Sequence, residues 1–262
     1  MWRGKPFPKP PRFGDLFMLI DDLLDSLRGD ADVRHIMVGA HLTVVCSRRC
    51  GLASTLSGGQ VYGRPKVKDA GSLHRKSARE LAEYARSDNS IEGAIGLAAL
   101  NSLLQEDEER FVRLNAAEYL ASHGRGAAVA LVGHFPFVER LRPAVGELWV
   151  LELAPEAGDF PASMARQLLP RADVVGITGS TLVNHTLDEL LGMCRPDVPI
   201  VLIGPTTPMS PVLFDHGVTV LAGTRVRDEA LVLRSVSQGA SLQQVEGVER
   251  VSWVRDQHTR TT

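Results

Sequence analysis

The sequence predicts an α/β protein with two units: an N-terminal α+β unit over residues 1–105 and a doubly wound parallel-sheet unit over residues 106–262. Up to about residue 105, short strands come first and helices follow them, which is typical of α+β units. Beyond that point, continuous apolar strands alternate with helices, which indicates a parallel sheet covered on both faces. A chain of 262 residues can bury the core of one large domain or of two modest ones.

In the N-terminal unit, apolar residues recur at helical spacing from Phe13 to Leu27 and predict the first helix. The segment "VRHIMVGAHLTVVCS" then predicts two short strands that are broken at Gly39. Two helices follow, "SARELAEYAR" with Ser77 as the expected N-cap and "SIEGAIGLAALNSLLQ" with Ser90 as the expected N-cap. The many small residues of the second helix predict close packing against another backbone, with Asn101 near the junction of the two units.

In the second unit, "NAAEYLASHGRG" predicts a helix that ends at a glycine. The expected strands are "AAVALVG", "ELWVLEL", "ADVVGIT", "VPIVLIG" and "VTVLAG". Between them, the sequence predicts a short helix after Pro136, a helix over "PASMARQLLP" with proline at both ends, and a helix in "TGSTLVNHTLDELL". "ERVSWV", near the end of the sequence, is expected to add an edge strand.

Composition argues against several classes of partner. The sequence has 29 Lys and Arg against 31 Asp and Glu, a net charge of −2, so no overall charge attracts nucleic acid or an anionic membrane. No stretch approaches the roughly 20 apolar residues that span a bilayer, and the proline-rich start lacks the apolar region of a secretory signal. We therefore expect neither a nucleic-acid nor a membrane partner, and self-association into a homo-oligomer stays open.

The cysteines favour a reducing compartment. An odd count of three, Cys46, Cys50 and Cys194, in a chain of this length predicts a cytoplasmic protein. Cys46 and Cys50 lack the two-residue spacing of common zinc knuckles, and the two arginines between them would disfavour a cation. We interpret the pair as structural.

The loops after four successive strands carry the candidate site. They read "GHFPF", "ELAPE", "TGSTLVNH" and "GPTTPM", and in doubly wound sheets ligands bind beyond these carboxyl ends. Turns and caps could account for parts of them, because Thr181 as an N-cap explains one hydroxyl. It leaves Thr178, Ser180 and Asn184 unexplained, which favours a ligand site. The candidate ligand-binding residues are Gly133, His134, Phe135, Pro136, Glu152, Thr178, Gly179, Ser180, Thr181, Asn184, Gly204, Pro205, Thr206, Thr207 and Met209.

The first of these loops argues against a dinucleotide. A nicotinamide or flavin site needs G-x-G-x-x-G after the first strand, so that the backbone can approach the pyrophosphate. Here the bulky Phe135 and Phe137 follow Gly133 instead. Glu152 does lie about 20 residues further on, where a ribose-binding acid is expected. We therefore expect no NAD or FAD, whereas a nucleoside-type ligand stays open.

Residues of the third loop and its helix suggest a divalent metal ion. His185 and Glu189 lie four residues apart, and on a helix such a pair can share a metal, although it can equally form a surface ion pair. The three cysteines belong to different segments and lie outside the four loops. Nitrogen and oxygen donors are therefore favoured over a cysteine-rich site for soft metals.

Four segments together resemble a known family. "SIEGAIGLAALNSLL", "GHFPF", "GITGSTLVNHTLDELL" and "GPTTPM" are similar, in this order, to bacterial and archaeal proteins labelled putative heavy-metal chelation proteins. The resemblance implies a domain like the N-terminal domain of enolase, followed by a Rossmann-like domain. It also implies a site in the cleft between them, lined by residues 133–137, 178–185 and 204–209. The enolase comparison concerns the fold alone and carries over no catalytic residue.

Two functions remain compatible with the sequence. The first is binding or handling of a metal ion or a metal-bearing small molecule in the interdomain cleft. The second is an enzyme that acts on a nucleoside- or pterin-like compound, which Glu152 and the hydroxyl-rich loops would orient. The sequence has no Ser-His-Asp order, nucleophile elbow or phosphate-loop lysine that would define a reaction.

Overall fold

The structure is a computed structural model that describes residues 18–56, 66–105 and 107–255. The expected helical residues before Met18 lie outside the described part of the chain. The elements of the first unit are α1 (Met18–Asp25), β1 (His35–Val38), β2 (Leu42–Cys46), β3 (Cys50–Ser54), α2 (Ala78–Ala82) and α3 (Ser90–Leu103). Strands β1, β2 and β3 form an antiparallel sheet of three strands in that order.

The N-cap predicted from sequence is found for α2 but not for α3. Ser77 caps α2 as predicted, and its side chain and that of Glu80 form a reciprocal capping box. The prediction that Ser90 caps α3 is wrong, because Ser90 is the first helical residue and the Asn89 side chain accepts from the Ile91 backbone N–H at 3.0 Å. Asparagine and serine are nearly equal as N-caps, so sequence alone did not separate two adjacent candidates.

The second unit contains a mostly parallel sheet of seven strands. Its elements are α4 (Ala116–His123), β4 (Ala128–Val132), α5 (Val138–Leu141), β5 (Glu147–Glu152), β6 (Phe160–Pro161), α6 (Ala165–Leu168), β7 (Val174–Thr178), α7 (Leu187–Met193), β8 (Ile200–Ile203), α8 (Val212–Asp215), β9 (Val220–Val226), α9 (Glu229–Ser237) and β10 (Val248–Val254). The strand order is β10-β9-β8-β7-β4-β5-β6. Among the described strands, β10 pairs antiparallel with β9 at one edge and the other neighbours pair in parallel, so the expected added edge strand is confirmed.

Two predicted helices of this unit differ in the structure. Pro161, expected to begin a helix, instead pairs with Glu152 in β6, and the following chain forms a single α-helical turn, α6, between two 3₁₀ turns. The helix expected from Thr181 onward begins only at Leu187. The interruption falls at His185, whose φ of +57° places it in the left-handed region and ends the preceding turn.

Side chains of successive strand residues pack on opposite faces of the large sheet. Val129 and Leu131 pack with Leu120 of α4, whereas Ala130 joins the core that contains Leu168 of α6 and Leu190 of α7. Helices therefore cover both faces, as the continuous apolar strands predict. The core that contains Ala130 also contains residues of α1, α2 and α3, so the first unit packs on the α6 and α7 face of the sheet. The division at residue 105 into two domains stays a prediction.

Helix α3 packs against neighbouring backbone as its small residues predict. A Cβ atom on Gly96 would lie 2.5 Å from the carbonyl carbon of Tyr84, and one on Gly51 of β3 would lie 2.5 Å from the Ser102 nitrogen. Asn101 Nδ2 donates to the carbonyl oxygens of Leu52 (2.9 Å) and Thr206 (3.2 Å). Asn101 thus joins the two units, which confirms its expected position.

The winding of the large sheet reverses between β4 and β7. Strand β4 is the first along the chain; β5 and β6 add on one side of it, and β7, β8 and β9 on the other. In parallel sheets, the carboxyl ends of the two strands at such a reversal border the crevice where ligands bind. A ligand site is therefore expected at the loops after β4 and β7.

Candidate functional site

The carboxyl ends of β4 and β7 bring two of the candidate loops together. Gly133 has a φ of +105°, and a Cβ atom there would lie 3.0 Å from Thr178 Cγ2. A Cβ on Gly204 would lie 4.0 Å from the Gly179 nitrogen, so the loop after β8 also reaches this edge. Glycine at 133 allows both the positive φ and the close approach to Thr178. We call the sheet edge formed by residues 133–134 and 178–180 the β4–β7 crevice.

Glu152, at the end of β5, fixes the loop after β4. Its Oε1 accepts from the His134 backbone N–H at 2.9 Å, and its Oε2 accepts from the Leu153 backbone N–H at 2.8 Å. Both carboxylate oxygens are therefore engaged with backbone next to the crevice. In this arrangement Glu152 positions His134, whereas the sequence suggested that it binds ribose.

His134 is oriented by a carboxylate that the sequence analysis missed. The Asp159 side chain is 1% exposed, and its Oδ2 lies 2.9 Å from His134 Nδ1. Because a carboxylate only accepts, Nδ1 carries the proton, and neutral His134 presents the lone pair of Nε2. The hydrogen bond to Asp159 raises the pKa of His134, so Nε2 becomes a more basic donor of its lone pair to a metal.

Two aromatic residues follow His134 in the same loop. Phe135 and Phe137 stack with ring centroids 5.1 Å apart, and both side chains are partly buried in the core on the α4 and α5 face of the sheet. Pro136 between them is exposed. The aromatic pair therefore packs the loop onto the sheet, and Phe135 lies beside Gly133 at the crevice.

The "TGST" segment begins a turn with a different cap from the one expected. Thr178 is the N-cap, since its side chain accepts from the Ser180 backbone N–H at 3.4 Å, and the Oγ atoms of Thr178 and Ser180 lie 3.0 Å apart. The prediction that Thr181 is the cap is wrong: its buried hydroxyl donates back to the Thr178 carbonyl oxygen at 2.7 Å. The hydroxyls of Thr178 and Ser180 are the ones at the crevice.

Replacing Thr178 by valine is expected to lower the free energy of unfolding by about 1 kcal/mol, because the side chain keeps its shape but loses the capping oxygen. Thr178→Ser keeps the oxygen and serves as the matched control. Urea denaturation of both variants measures the difference. A valine variant as stable as the serine variant would contradict the capping role of Thr178.

The residues after Thr181 that were expected to bind a ligand or metal make hydrogen bonds and ion pairs within the protein. Asn184 Oδ1 accepts from the Thr186 hydroxyl at 2.7 Å, and His185 Nε2 donates to the Ser87 carbonyl oxygen at 3.0 Å. Glu189 forms an ion pair with Arg166. Because His185 precedes α7 in the left-handed region, the premise that His185 and Glu189 share one helix face is wrong.

The "GPTTPM" loop is buried between the two units. Thr206 is fully buried, and its Oγ1 accepts from the Ser54 backbone N–H at 2.8 Å. Thr207 and Met209 are also buried, as is Pro205, whereas Gly204 is partly exposed at the sheet edge. The loop therefore holds the β3 end of the first unit against the sheet, and only its beginning reaches the crevice.

The cysteines are less scattered than the sequence suggested. Cys46 and Cys50 pair across the β2–β3 hairpin and form a disulfide. With Glu229 they are the one group of at least three metal-type ligands that the described residues bring together. Cys194 is separate from them, and burial raises the pKa of its thiol to about 12.

Family models match both units. The model of DUF4213, described as putative heavy-metal chelation, matches residues 20–104, and that of DUF364, with the same description, matches residues 115–255. The fold is that of a two-unit α/β protein. Because the two family models match one unit each, the chain belongs to the DUF364 and DUF4213 putative heavy-metal chelation family.

Relatives agree with this assignment. An uncharacterized protein of Methanocaldococcus jannaschii, MJ0500, is 30% identical over 164 residues, which are 58% of this chain and 62% of that relative. A DUF364-family crystal structure from Desulfitobacterium hafniense, of unknown function, is 28% identical with a TM-score of 0.82, and the match covers 93% of this chain and 100% of that one. A DUF364-family structure from Pyrococcus horikoshii, 22% identical with a TM-score of 0.77 over 92% and 99%, shares the fold.

Within the described ranges, none of the helices combines the length and the apolar character that a membrane span requires. The longest of those helices, α3, has 14 residues, whereas a span needs roughly 20. Its apolar residues, apart from the partly buried Ile91, are buried in the core that it shares with the large sheet.

Proposed function

We propose that this protein binds or handles a metal ion or a metal-bearing small molecule in the β4–β7 crevice, at the junction of an enolase N-terminal-like domain and a Rossmann-like domain. The observation that supports this most directly is His134 held by the buried Asp159. Histidines that bind metals almost always donate their other ring N–H to a carboxylate or carbonyl, which fixes the tautomer and raises the basicity of the donor.

The remaining groups at the crevice indicate which kind of metal ligand fits. Thr178 and Ser180 offer hydroxyl oxygens, whereas both carboxylate oxygens of Glu152 and Oδ2 of Asp159 already accept hydrogen bonds. Asp159 Oδ1 is buried and has no hydrogen-bond partner among the described residues. Imidazole and oxygen donors suit divalent cations such as Zn²⁺, Ni²⁺ or Mn²⁺. The described residues around His134 do not form a group of three metal-type side chains. We therefore favour a metal that arrives on a small molecule, with His134 Nε2 completing its coordination.

The metal pair suggested by the sequence, His185 and Glu189, is disfavoured by its contacts. The His185 ring is hydrogen-bonded to Ser87 and the Glu189 carboxylate is paired with Arg166. Binding a metal through Glu189 would compete with the Arg166 ion pair, and His185 lies outside α7, the helix that carries Glu189.

The second candidate function is an enzyme that acts on a nucleoside- or pterin-like compound. A histidine oriented by a carboxylate can also act as a general base. The strand order supports a ligand of this class, because numbered from β4 it is the 3-2-1-4-5-6 order of dinucleotide-binding sheets with one added antiparallel edge strand. Both candidates place the ligand in the same crevice and differ in whether it carries a metal.

The test is native mass spectrometry of the protein purified without added metal, combined with elemental analysis of the same sample. The first proposal predicts a bound mass that contains a metal, and it predicts that His134→Ala loses this mass while its circular dichroism spectrum shows that it remains folded. His41→Ala, which removes an exposed histidine outside the crevice, is the matched control.

Three results would count against the metal proposal. A metal-free, ultraviolet-absorbing compound lost in His134→Ala would favour the enzyme. A bound metal that survives His134→Ala but disappears in His185→Ala would move the site to the pair suggested by the sequence. Protein that carries neither metal nor compound, before and after incubation with divalent cations, would contradict both candidates.

A further inference from the structure

The loop end of the β2–β3 hairpin carries a second group of metal-type ligands. Cys46 and Cys50 are direct cross-strand partners with Cα atoms 4.0 Å apart. Glu229, the first residue of α9, has a carboxylate oxygen within 4.8 Å of both sulfurs. Cys50 and Ser54 lie at opposite ends of β3, about 13 Å apart along the strand, and Ser54 is the residue that contacts the Thr206 loop. The group therefore lies away from the Thr206 loop, where α9 of the second unit packs on the hairpin.

We propose that Cys46 and Cys50, in their dithiol form, bind a thiophilic divalent cation such as Zn²⁺ together with Glu229, and that the disulfide form does not. This site is distinct from the β4–β7 crevice and does not depend on the function proposed there. It would make metal binding at the hairpin dependent on the redox state of the two cysteines.

The hairpin keeps the two sulfurs close together in either redox state. Directly opposite residues of an antiparallel pair point to the same face with Cβ atoms about 4.5–5.5 Å apart, whether or not a sulfur–sulfur bond joins them. Around a tetrahedral cation, sulfur ligands at about 2.3 Å and oxygen ligands at about 2.1 Å lie roughly 3.5–3.8 Å from one another. Small rotations of the cysteine side chains reach that spacing without moving the backbone.

Helix α9 holds Glu229 over the same face. Cys46 is fully buried and shares a core with Val232 and Val236 of α9, which fixes the start of the helix above the hairpin. His35, the partner of Cys46 on β1, has its Nε2 3.5 Å from Glu229 Oε1. A rotation of its exposed ring, or a water molecule, supplies the fourth ligand of a tetrahedral site.

The charges of the three ligands and of Arg34, which pairs with Glu229, sum to zero when a divalent cation is bound. Two thiolates and the Glu229 carboxylate carry three negative charges, and the Arg34 guanidinium, whose Nη2 is 2.6 Å from Glu229 Oε2, contributes one positive charge. A divalent cation makes the sum zero. Arg48 lies between the cysteines in the sequence, and its guanidinium donates to the carbonyl oxygens of Leu103 and Arg28.

Metal binding by the dithiol and its loss on oxidation to the disulfide can each be written as a complete reaction. When the dithiol binds the cation, the two thiols release two protons. A hydroperoxide then oxidises the two thiolates: the sulfur–sulfur bond forms, the oxygen–oxygen bond of the hydroperoxide breaks, and two protons are taken up to give an alcohol and water. The cation leaves because a disulfide no longer offers thiolate ligands.

The experiment compares the reduced and the oxidised full chain, using Zn²⁺ for calorimetry and Co²⁺ as a spectroscopic probe. Reduction with a phosphine, followed by its removal, is expected to yield protein that binds one equivalent of Zn²⁺ and shows a thiolate-to-cobalt charge-transfer band. Treatment with hydrogen peroxide is expected to abolish both signals. Cys46→Ser/Cys50→Ser is expected to lose them in the reduced protein, and Glu229→Gln to weaken binding while keeping the band.

Two variants separate this site from its surroundings. Cys194→Ser removes a buried thiol and is expected to bind as the parent does. His134→Ala is also expected to bind normally here, so that failure of the crevice proposal and failure of this one can be told apart. Reduced protein without the cobalt–thiolate band, a band that persists after peroxide treatment, or equal Zn²⁺ binding by the double serine variant would each overturn the proposal. If the double variant does not fold, the band in the reduced and oxidised parent and in Glu229→Gln decides.

Discussion

Gly96→Ala is expected to lower the free energy of unfolding by about 3 kcal/mol or more, at the upper end of the usual cost of overpacking a core. The added Cβ would lie in contact with the Ala85 nitrogen and 2.5 Å from the carbonyl carbon of Tyr84. Both atoms are backbone, so no side-chain rotation relieves the clash, and α3 must move away from residues 83–86. The expected fall in melting temperature is roughly 6–12 °C.

Gly192→Ala is the matched control, because it is also a helical glycine but has open space where the new methyl group would lie. There, only helix propensity acts, and alanine is expected to stabilise the protein by about 0.5–1 kcal/mol. Thermal and urea unfolding of the two variants should therefore change in opposite directions. If Gly96→Ala were as stable as the parent, the close packing of α3 would be refuted.

The architecture followed from patterns that depend on few residues at a time. Continuous apolar strands such as residues 128–132 and 200–203, separated by helices, identified the parallel sheet and its two covered faces. The small residues of α3 identified its close packing, because a glycine within a helix usually marks another backbone nearby. The strand order was not predicted, since it depends on long-range pairing that no local pattern encodes.

The site was only partly predictable for the same reason. Parallel strands end at one edge, so the loops after β4 and β7 were expected to meet, and Gly133 does lie against Thr178. Asp159 was missed because it lies 25 residues from His134 and belongs to no recognisable motif. Glu229 was missed as a neighbour of Cys46 because it lies on α9, far along the chain.

Local conformation produced the remaining errors. The segment from Thr181 to Leu191 has a helical apolar pattern, but a single left-handed residue, His185, divides it into a 3₁₀ turn and α7. Residues other than glycine seldom adopt that region; histidine is enriched among those that do, but most histidines do not, so the sequence alone does not mark this one. The metal pair at positions 185 and 189 depended on an unbroken helix and lost its geometric basis with it.

Asp159→Asn is expected to weaken binding in the β4–β7 crevice by roughly 10–100-fold, the usual cost of losing a carboxylate that supports a metal-binding histidine. Asparagine has nearly the same shape but no charge, and its amide can turn an N–H toward His134 Nδ1. Neutral His134 would then favour the other tautomer, with the proton on Nε2, and present no lone pair to the ligand. Native mass spectrometry should show this as a fall in the occupied fraction.

The same substitution has a signature that does not require the ligand. Asp159 raises the pKa of His134, so the hydrogen bond between them stabilises the folded protein fully below the ordinary histidine pKa of about 6.5 and loses that contribution as the pH rises through the raised value. In Asp159→Asn, the His134 pKa should fall toward the ordinary value, and this part of the pH dependence of stability should disappear. Nuclear magnetic resonance titration of the histidine ring protons measures the first effect, and urea denaturation between about pH 5 and 9 measures the second.

Asp197→Asn, which removes an exposed carboxylate elsewhere, should change neither the His134 pKa nor the pH dependence of stability. An unchanged His134 titration in Asp159→Asn would show that Asp159 does not orient this ring.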